Sequence, residues 1–247
     1  MIAKYSNVLS VTLIVIAGLY CGLPLNSLEE DGAVEVNAFS AGYRAEYQFR
    51  MYDPSISVDT LEGSMSVFVS GTEVIENRVY DVHLYRTVYS KTSGAVRFDS
   101  VHTYKQYIAR DDSFFISHAY TPTGYSVSLA KKSAEPRVTV NSLGEKVYIE
   151  QVRVVSFPQY LYVGNSWTIR PRYSGAEIVD VVGIGSEAEF RIRVSPLDGN
   201  SFLIRNGVRY DYTITADENG VSEISIVLPA YFYEARRTDV STESFAD

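Results

Sequence analysis

The three histidines are the residues whose type and placement come nearest to a chemical site. His83, His102 and His118 fall on three successive predicted strands, and imidazoles that converge from neighbouring strands are suitable ligands for zinc. In the first of these strands the more apolar alternating set contains Tyr80 and Val82, which leaves His83 on the other face. Since paired strands share their faces, we expect His102 and His118 to face the core and His83 to face outward. The sequence therefore predicts no metal site.

Other residue patterns that support catalysis are missing or incomplete. The sequence has no Gly-x-Ser-x-Gly element to present a nucleophilic serine, and its single cysteine, Cys21, lies beside an N-terminal apolar run that does not suit a thiol nucleophile. Residues 183–185 (Gly-Ile-Gly) are predicted between two strands, as a turn or bulge and not a phosphate-binding loop. Residues 217–220 (Asp-Glu-Asn-Gly) are too short for a calcium loop and predict a hairpin turn. We predict no catalytic residue and no cofactor.

The composition favours an all-β protein and argues against nucleic acid as a partner. The 247 residues include 20 Tyr and 11 Phe against 3 Met and 1 Trp, and such aromatic residues are enriched in strands. The formal net charge is −8, whereas nucleic-acid-binding domains are typically basic. The basic doublets Lys131-Lys132 and Arg236-Arg237 are too short for a phosphate-binding stripe, and we expect them as solvated turn and strand-edge charges.

The N-terminus has the pattern of an export signal. Lys4 precedes an apolar run over residues 8–19, so residues 1–26 are predicted to be a signal peptide or a membrane anchor, with membrane contact through residues 8–25. The segment ending at Gly18 fits ordinary signal cleavage, and Cys21 directly after the run is a candidate for lipidation, although Tyr20 departs from the small residue that lipoprotein signals place there. We expect a bacterial protein exported to the periplasm or cell envelope.

The remaining chain predicts one antiparallel β domain over residues 41–238. Residues 43–51 alternate apolar and polar side chains with a period of two, and further strand patterns follow at hairpin-length intervals. We therefore expect a large antiparallel meander that forms a curved sheet, a half-barrel or an open barrel. Residues 27–40 are predicted as an acidic tether and residues 239–247 as a polar tail. Residues 131–146 are the candidate for a domain seam or a long crossover, and the sequence leaves open whether the β body is one domain or two.

One segment carries a resemblance. Residues 157–167 are Phe-Pro-Gln-Tyr-Leu-Tyr-Val-Gly-Asn-Ser-Trp, and a closing hairpin is predicted over residues 210–237 around Asn219-Gly220. This part of the chain, mainly residues 157–238, resembles uncharacterised exported bacterial envelope proteins whose antiparallel sheet curls like the half-barrel of the lipoprotein carriers. The resemblance implies a curved sheet with one concave apolar face and without established catalytic residues.

These patterns favour a non-catalytic envelope protein that binds an apolar small molecule, a lipid or a protein partner in the curved sheet. The alternatives are an outer-membrane β-barrel, whose strands would alternate in a similar way, and an envelope hydrolase whose site the sequence does not assign. If a ligand binds in the concavity, we expect its lining to come from aromatic side chains: Tyr43, Tyr47, Phe49, Phe98, Tyr104 and Trp167.

Overall fold

The computed structural model describes residues 33–53, 56–93, 95–111, 113–121, 137–169, 177–185, 189–197, 204–205, 208–209, 212–228 and 231–242. The predicted signal or anchor at residues 1–26, the lipidation candidate Cys21 and the Lys131-Lys132 doublet lie outside these residues. Within the described part of the chain, no helix has the length and apolarity that crossing a membrane would require.

Strands account for nearly all the regular structure of the described residues. In chain order they are β1 (Val34–Glu35), β2 (Tyr43–Asp53), β3 (Ile56–Ile75), β4 (Arg78–Ser93), β5 (Val96–Arg110), β6 (Phe114–Tyr120), β7 (Arg137–Val140), β8 (Lys146–Pro158), β9 (Tyr160–Leu161), β10 (Ser166–Ile169), β11 (Glu177–Ile184), β12 (Phe190–Pro196), β13 (Ile204–Arg205), β14 (Val208–Arg209), β15 (Tyr212–Asp217), β16 (Gly220–Leu228) and β17 (Tyr231–Thr242).

Thirteen of these strands form a single antiparallel sheet in the order β10-β11-β12-β15-β16-β17-β2-β3-β4-β5-β6-β8-β7. Most neighbours follow one another in the chain, as in a meander, but the C-terminal strand β17 pairs with β2 along ten positions and joins the two halves. Because β6 also pairs with β8, the same sheet continues on both sides of residues 131–146. The all-β, antiparallel prediction is confirmed.

The alternation predicted for β2 is present and defines the two faces of the sheet. Tyr43, Tyr47 and Phe49 are buried on one face, while Arg44 and Arg50 are exposed on the other. Strand β12 has the same buried-exposed alternation. A single hydrophobic cluster includes the buried face of β2 and that of β12, as expected when one face of an antiparallel sheet covers a core.

The sheet curls so that its two ends approach each other. Trp167 of β10 and Phe157 of β8 lie at opposite ends of the strand order, yet their ring centroids are 6.2 Å apart in an edge-to-face contact. The described residues show no strand pairing between those ends, so the structure is an open barrel, as predicted. We call the face that carries the core the concave face, and the opposite face the convex face.

Residues 33–42, which we call the N-terminal strap, cross one end of the curled sheet. Strand β1 pairs with β9, the Val36 amide donates to the Gln159 carbonyl at 2.9 Å, and the Asn37 amide donates to the Glu218 carbonyl at 2.5 Å. Val36 and Ala38 are buried. Residues 33–40, the C-terminal part of the predicted tether, are therefore packed against the sheet.

Two local features give the sheet its shape. The β3–β4 hairpin turns at Glu76 and Asn77, which have φ of 50° and 65°, as a two-residue primed turn requires. At Gly63 in β3 a Cβ atom would lie 2.2 Å from the Val88 carbonyl oxygen and 2.8 Å from the Phe49 ring, so any residue other than glycine would collide with both.

At the C-terminus, β17 extends to Thr242, four residues into the segment predicted as a polar tail.

Candidate ligand-binding face

The structure places His83 on the concave face, so the outward orientation predicted for it is wrong. Its side chain is 1% exposed and pairs across the sheet with Gln106. The prediction failed because Val82, on the convex side of the same strand, is also buried. The β7–β8 turn reaches that side, where Asn141 donates to the hydroxyl of Tyr107, the residue paired with Val82. The apolar alternation of Val82 therefore reflects burial on both faces of β4 and does not identify the concave face.

The other two histidines have different outcomes. His102 pairs with Thr87 and faces the concave side, as predicted, where it is partly buried. The side chain of His118 lies outside the described residues. Among the described residues, no group of three or more His, Cys, Asp or Glu side chains is arranged to hold a metal ion.

An aromatic stripe runs along the concave face of β4 and β5. It consists of Tyr85, Tyr89, His102 and Tyr104. Tyr85 and Tyr104 are directly paired, and their rings stack at a centroid distance of 4.8 Å and an interplanar angle of 5°. Tyr89 and His102 stack at 5.5 Å and 7°, and the Tyr89 hydroxyl lies 3.2 Å from His102 Nε2. Cross-strand aromatic pairs of this kind stabilise a hairpin and hold the rings in fixed positions.

The stripe changes from core to surface along its length. Tyr85 is buried, and burial raises the pKa of its phenol well above the ordinary value, with smaller effects from Tyr104 and Tyr47. Tyr89, His102 and Tyr104 are only partly buried, although Tyr89 and Tyr104 pack against the core. The concave face therefore presents aromatic groups at the point where it becomes accessible.

The six residues predicted as ligand lining separate into three groups. Tyr43, Tyr47, Phe49 and Trp167 are buried core residues, Tyr104 lies in the partly exposed part of the stripe, and the side chain of Phe98 is outside the described residues. The prediction missed Tyr85, Tyr89 and Thr87 because the wrong face of β4 was taken as apolar. A signal for them was present in the sequence: tyrosines 85 and 89 alternate in register with His83 and Thr87.

The hydroxyl groups of Tyr43 and Tyr47 hold the β15–β16 turn. The Tyr43 hydroxyl donates to the Asn219 carbonyl at 2.7 Å, and the Tyr47 hydroxyl donates to the Val221 carbonyl at 2.9 Å. Burial is the largest cause that raises the pKa of both phenols. These hydroxyls are neutral and occupied, so they belong to the scaffold.

Arg237 supports the same turn and is not the solvated charge that the sequence predicted. Its side chain is 10% exposed, and its guanidinium donates to both carboxylate oxygens of Asp217 and, at 3.0 Å, to the Asn219 carbonyl. Burial acts to lower the pKa of Arg237, but the hydrogen bond and the charge of Asp217 outweigh it and the pKa rises. Because bidentate pairing satisfies both groups, the charge can lie next to the core.

Two polar atoms on the concave face of β4 have no hydrogen-bond partner. His83 Nε2 and Thr87 Oγ1 are both buried, each in a side chain that is 1% exposed. Burial, with a smaller effect from the charge of Arg110, lowers the pKa of His83 from 6.5 to about 3, so the imidazole is neutral at pH 7. An unsatisfied buried polar group costs about 1–3 kcal/mol, which makes both atoms candidates for contact with a ligand.

A polar cluster lies on the convex side and has a structural role. It consists of Glu73, Lys105, Tyr107, Asn141 and Glu145. Lys105 contacts Glu145 at 2.6 Å and Glu73 at 3.5 Å, and Asn141 Nδ2 donates to the Tyr107 hydroxyl at 3.2 Å. The hydrogen bond from Lys105, followed by that from Asn141, lowers the pKa of Glu145. Since these groups satisfy one another, the convex-face cluster fastens the β7–β8 turn to the sheet.

Comparisons with known proteins identify a distant structural likeness and no family. No family model matches the sequence, and no curated protein matches it. A crystal structure of a β-barrel-like protein of a domain of unknown function, DUF1849, from Brucella abortus is 10% identical, covers 85% of this chain and 100% of that chain, and has a TM-score of 0.47. A likeness of this degree carries no argument about activity or ligand.

Proposed function

We propose that this protein is a non-catalytic envelope protein that holds an apolar ligand against the aromatic stripe. The observation that carries the proposal is the partial exposure of Tyr89, His102 and Tyr104 on the concave face, directly beside the buried core. A ligand placed there would continue the core outward. The alternatives of an outer-membrane β-barrel and an envelope hydrolase have no comparable support from the described side chains.

The physical basis of the proposal is the area that the stripe can bury. Apolar surface removed from water stabilises a complex by about 25 cal/mol per Å², so covering about 100 Å² contributes about 2.5 kcal/mol. Stacking already holds the rings of Tyr89 and Tyr104 in place. Little side-chain entropy is therefore lost when a ligand binds.

Thr87 adds a polar contact to this apolar surface. It lies on the concave face between Tyr85 and Tyr89, and its buried hydroxyl has no partner. Because Thr87 is 1% exposed, a ligand with an apolar body and one hydrogen-bonding group would satisfy that hydroxyl by displacing a side chain that covers it. This combination favours a lipid or an acyl chain with a polar head over a pure hydrocarbon.

The stripe can be tested with N-phenyl-1-naphthylamine, a fluorescent apolar probe, and the full chain. We expect Tyr104→Ala to weaken probe binding by about tenfold, equivalent to about 1.4 kcal/mol, because it removes one ring from the accessible part. Tyr104→Phe should bind within about twofold of the original protein, because the ring is retained. Fluorescence titration measures each dissociation constant.

The matched control is Tyr160→Ala. Tyr160 is an aromatic residue of β9 that is 47% exposed and lies outside the stripe, so its loss should leave probe binding unchanged. The proposal is wrong if the original protein does not bind the probe, or if Tyr160→Ala weakens binding as much as Tyr104→Ala. Turnover of an ester or glycan by the purified chain would favour the hydrolase.

We also propose export to the cell envelope, which the apolar run at residues 8–19 supports. The mass of the mature protein, recovered from fractionated bacterial cells, distinguishes the possible N-termini. Cleavage after Gly18 and an acylated Cys21 each give a distinct mass. Recovery of the intact chain in the cytoplasmic fraction would contradict export.

A further inference from the structure

We infer that Phe39 is a displaceable plug in an aromatic pocket around His83, and that this pocket takes a small phenolic molecule. The pocket lies at the strap end of the concave face, beyond the aromatic stripe. The inference goes beyond the proposed function because it concerns a second site with a different ligand chemistry.

The pocket walls come from three strands, whereas the plug comes from the strap. The Phe39 ring stacks on Phe115 of β6 at a centroid distance of 4.0 Å and an angle of 15°. It lies 5.1 Å from the ring of His83 in β4 and 6.4 Å from that of Phe157 in β8. These walls are buried strand residues, but Phe39 itself is only partly buried. An aromatic ring is thus held between fixed walls by a segment outside the main sheet.

The strap is held by fewer backbone hydrogen bonds than a strand of the main sheet, although Val36 and Ala38 are buried. Strand β1 pairs with β9 at two positions, and the amides of Val36, Asn37 and Gly42 each donate one hydrogen bond to the rest of the protein. The Phe39 carbonyl accepts one more, at 3.2 Å, from the exposed side chain of Arg110. By contrast, the pocket strands belong to the thirteen-stranded sheet. Segments with few hydrogen bonds open before the strands of a core, so Phe39 can leave while the walls remain.

His83 determines the chemistry that the pocket accepts. Its Nε2 atom is buried without a partner, and the phenyl ring of Phe39 offers no hydrogen-bonding group. A neutral imidazole has one N–H donor and one acceptor nitrogen, whereas a hydroxyl group can both donate and accept. A hydroxyl therefore matches either tautomer of His83. An aromatic ring that carries a hydroxyl would replace the stacking of Phe39 and also satisfy Nε2.

The test uses the full chain with Phe39→Ala and two probes of similar size, p-cresol and toluene. Calorimetric titration should show p-cresol binding to Phe39→Ala at least about tenfold more tightly than to the original protein, in which Phe39 competes. It should also bind more tightly than toluene, which lacks the hydroxyl. Adding His83→Phe to Phe39→Ala should abolish the preference for p-cresol over toluene, whereas binding of toluene should be retained.

Phe232→Ala is the matched control, because Phe232 is a partly buried phenylalanine that packs on Tyr52 at the convex face. Equal p-cresol binding by Phe232→Ala and Phe39→Ala would overturn the inference, as would equal affinity of Phe39→Ala for the two probes. If Phe39→Ala does not fold, hydrogen exchange on the original protein decides. Saturating p-cresol should then accelerate exchange in residues 33–42, and no acceleration overturns the inference.

The outcome is separable from that of the proposed function. Tyr104→Ala acts on the stripe and should leave p-cresol binding to Phe39→Ala unchanged. His83→Phe should in turn leave the affinity of the stripe for N-phenyl-1-naphthylamine unchanged. Either site can therefore fail without the other.

Discussion

The protonation state of His83 follows from where the fold places it. The imidazole is buried, and the charge that acts on it is that of Arg110, whose guanidinium contacts the carboxylate of Asp81 at 3.2 Å. Burial is the main cause that lowers the pKa of His83 to about 3, and the Arg110 charge acts in the same direction. In the unfolded chain the same group has its ordinary pKa of 6.5. Folding therefore excludes a proton that the unfolded chain binds readily.

This difference predicts a pH dependence of stability. Above about pH 6.5 neither state binds the proton, and the stability associated with neutral His83 is fully present. As the pH falls toward 3 the unfolded state gains the proton first, so the free energy of unfolding should decrease by up to about 1.4 kcal/mol per pH unit. Urea unfolding between about pH 7 and about pH 5 measures the slope before most carboxylates titrate.

His83→Phe should remove most of that slope, because the titrating group is gone. His102→Phe is the control and should retain it, since His83 is unchanged. The prediction fails if the original protein and His83→Phe lose stability equally over this pH range.

At the level of elements, two pieces of chain cover the sheet from opposite sides. The strap covers the end of the concave face, and the β7–β8 turn contacts the convex face of β3 and β5. Asn141 organises that turn: its Oδ1 accepts from the amides of Leu143 and Glu145 at 3.1 and 2.9 Å, and its Nδ2 donates to Glu145 at 2.6 Å. One buried side chain thus shapes the turn and connects it to Tyr107 in the sheet.

Asn141→Ala should therefore loosen the β7–β8 turn. We expect a loss of about 1–3 kcal/mol in the free energy of unfolding, because the turn loses the hydrogen bonds that Asn141 makes to Leu143, Glu145 and the Tyr107 hydroxyl. Hydrogen exchange should increase most in residues 137–149. Ser142→Ala, an exposed neighbour in the same turn, is the control and should change stability by less than about 0.5 kcal/mol. An effect of Asn141→Ala no larger than that would contradict the role given to this residue.

Across the whole molecule, one continuous sheet connects the first long strand to the last. Strand β17 pairs with β2 in the middle of the strand order, with Ala235 buried opposite Phe49. The contact between Trp167 and Phe157 brings the two ends together. A break at the β17–β2 pairing would expose core on both halves, so the halves should unfold together.

We therefore expect a single unfolding transition. The fluorescence of Trp167, the only tryptophan in the chain, reports on the region where the sheet ends meet, and far-ultraviolet circular dichroism reports on all strands. In urea the two midpoints should coincide. Ala235→Asp, which places a charge in the core, should lower both midpoints together, while Glu234→Ala on the exposed face of β17 should leave both nearly unchanged. Two separate transitions would show that the halves are independent.

Sequence reasoning could predict the features that depend on neighbouring residues. The period-two alternation over residues 43–51 specifies a half-buried strand, and the Asn-Gly pair at 219–220 specifies a hairpin turn, because both depend on local backbone and side-chain preferences. The all-β class and the facing of Tyr43, Tyr47 and Phe49 follow from these patterns. Of the residues predicted to line a ligand site, Tyr104 lies on the concave face, as its alternation indicated, and is partly exposed there.

Only the tertiary structure decided the features that depend on distant contacts. Strand β4 has an apolar set on each face, so alternation alone could not place His83; the pairing of β4 with β3, which sets His83 opposite the buried Val69, places it on the concave face. In the same way, Arg237 is largely withdrawn from solvent because it pairs with Asp217 at the β15–β16 turn. The strap packs on the sheet because β1 pairs with β9 and the Asn37 amide donates to the Glu218 carbonyl. Local sequence specifies the strands and turns, but pairing across the chain determines which of their side chains form the candidate site.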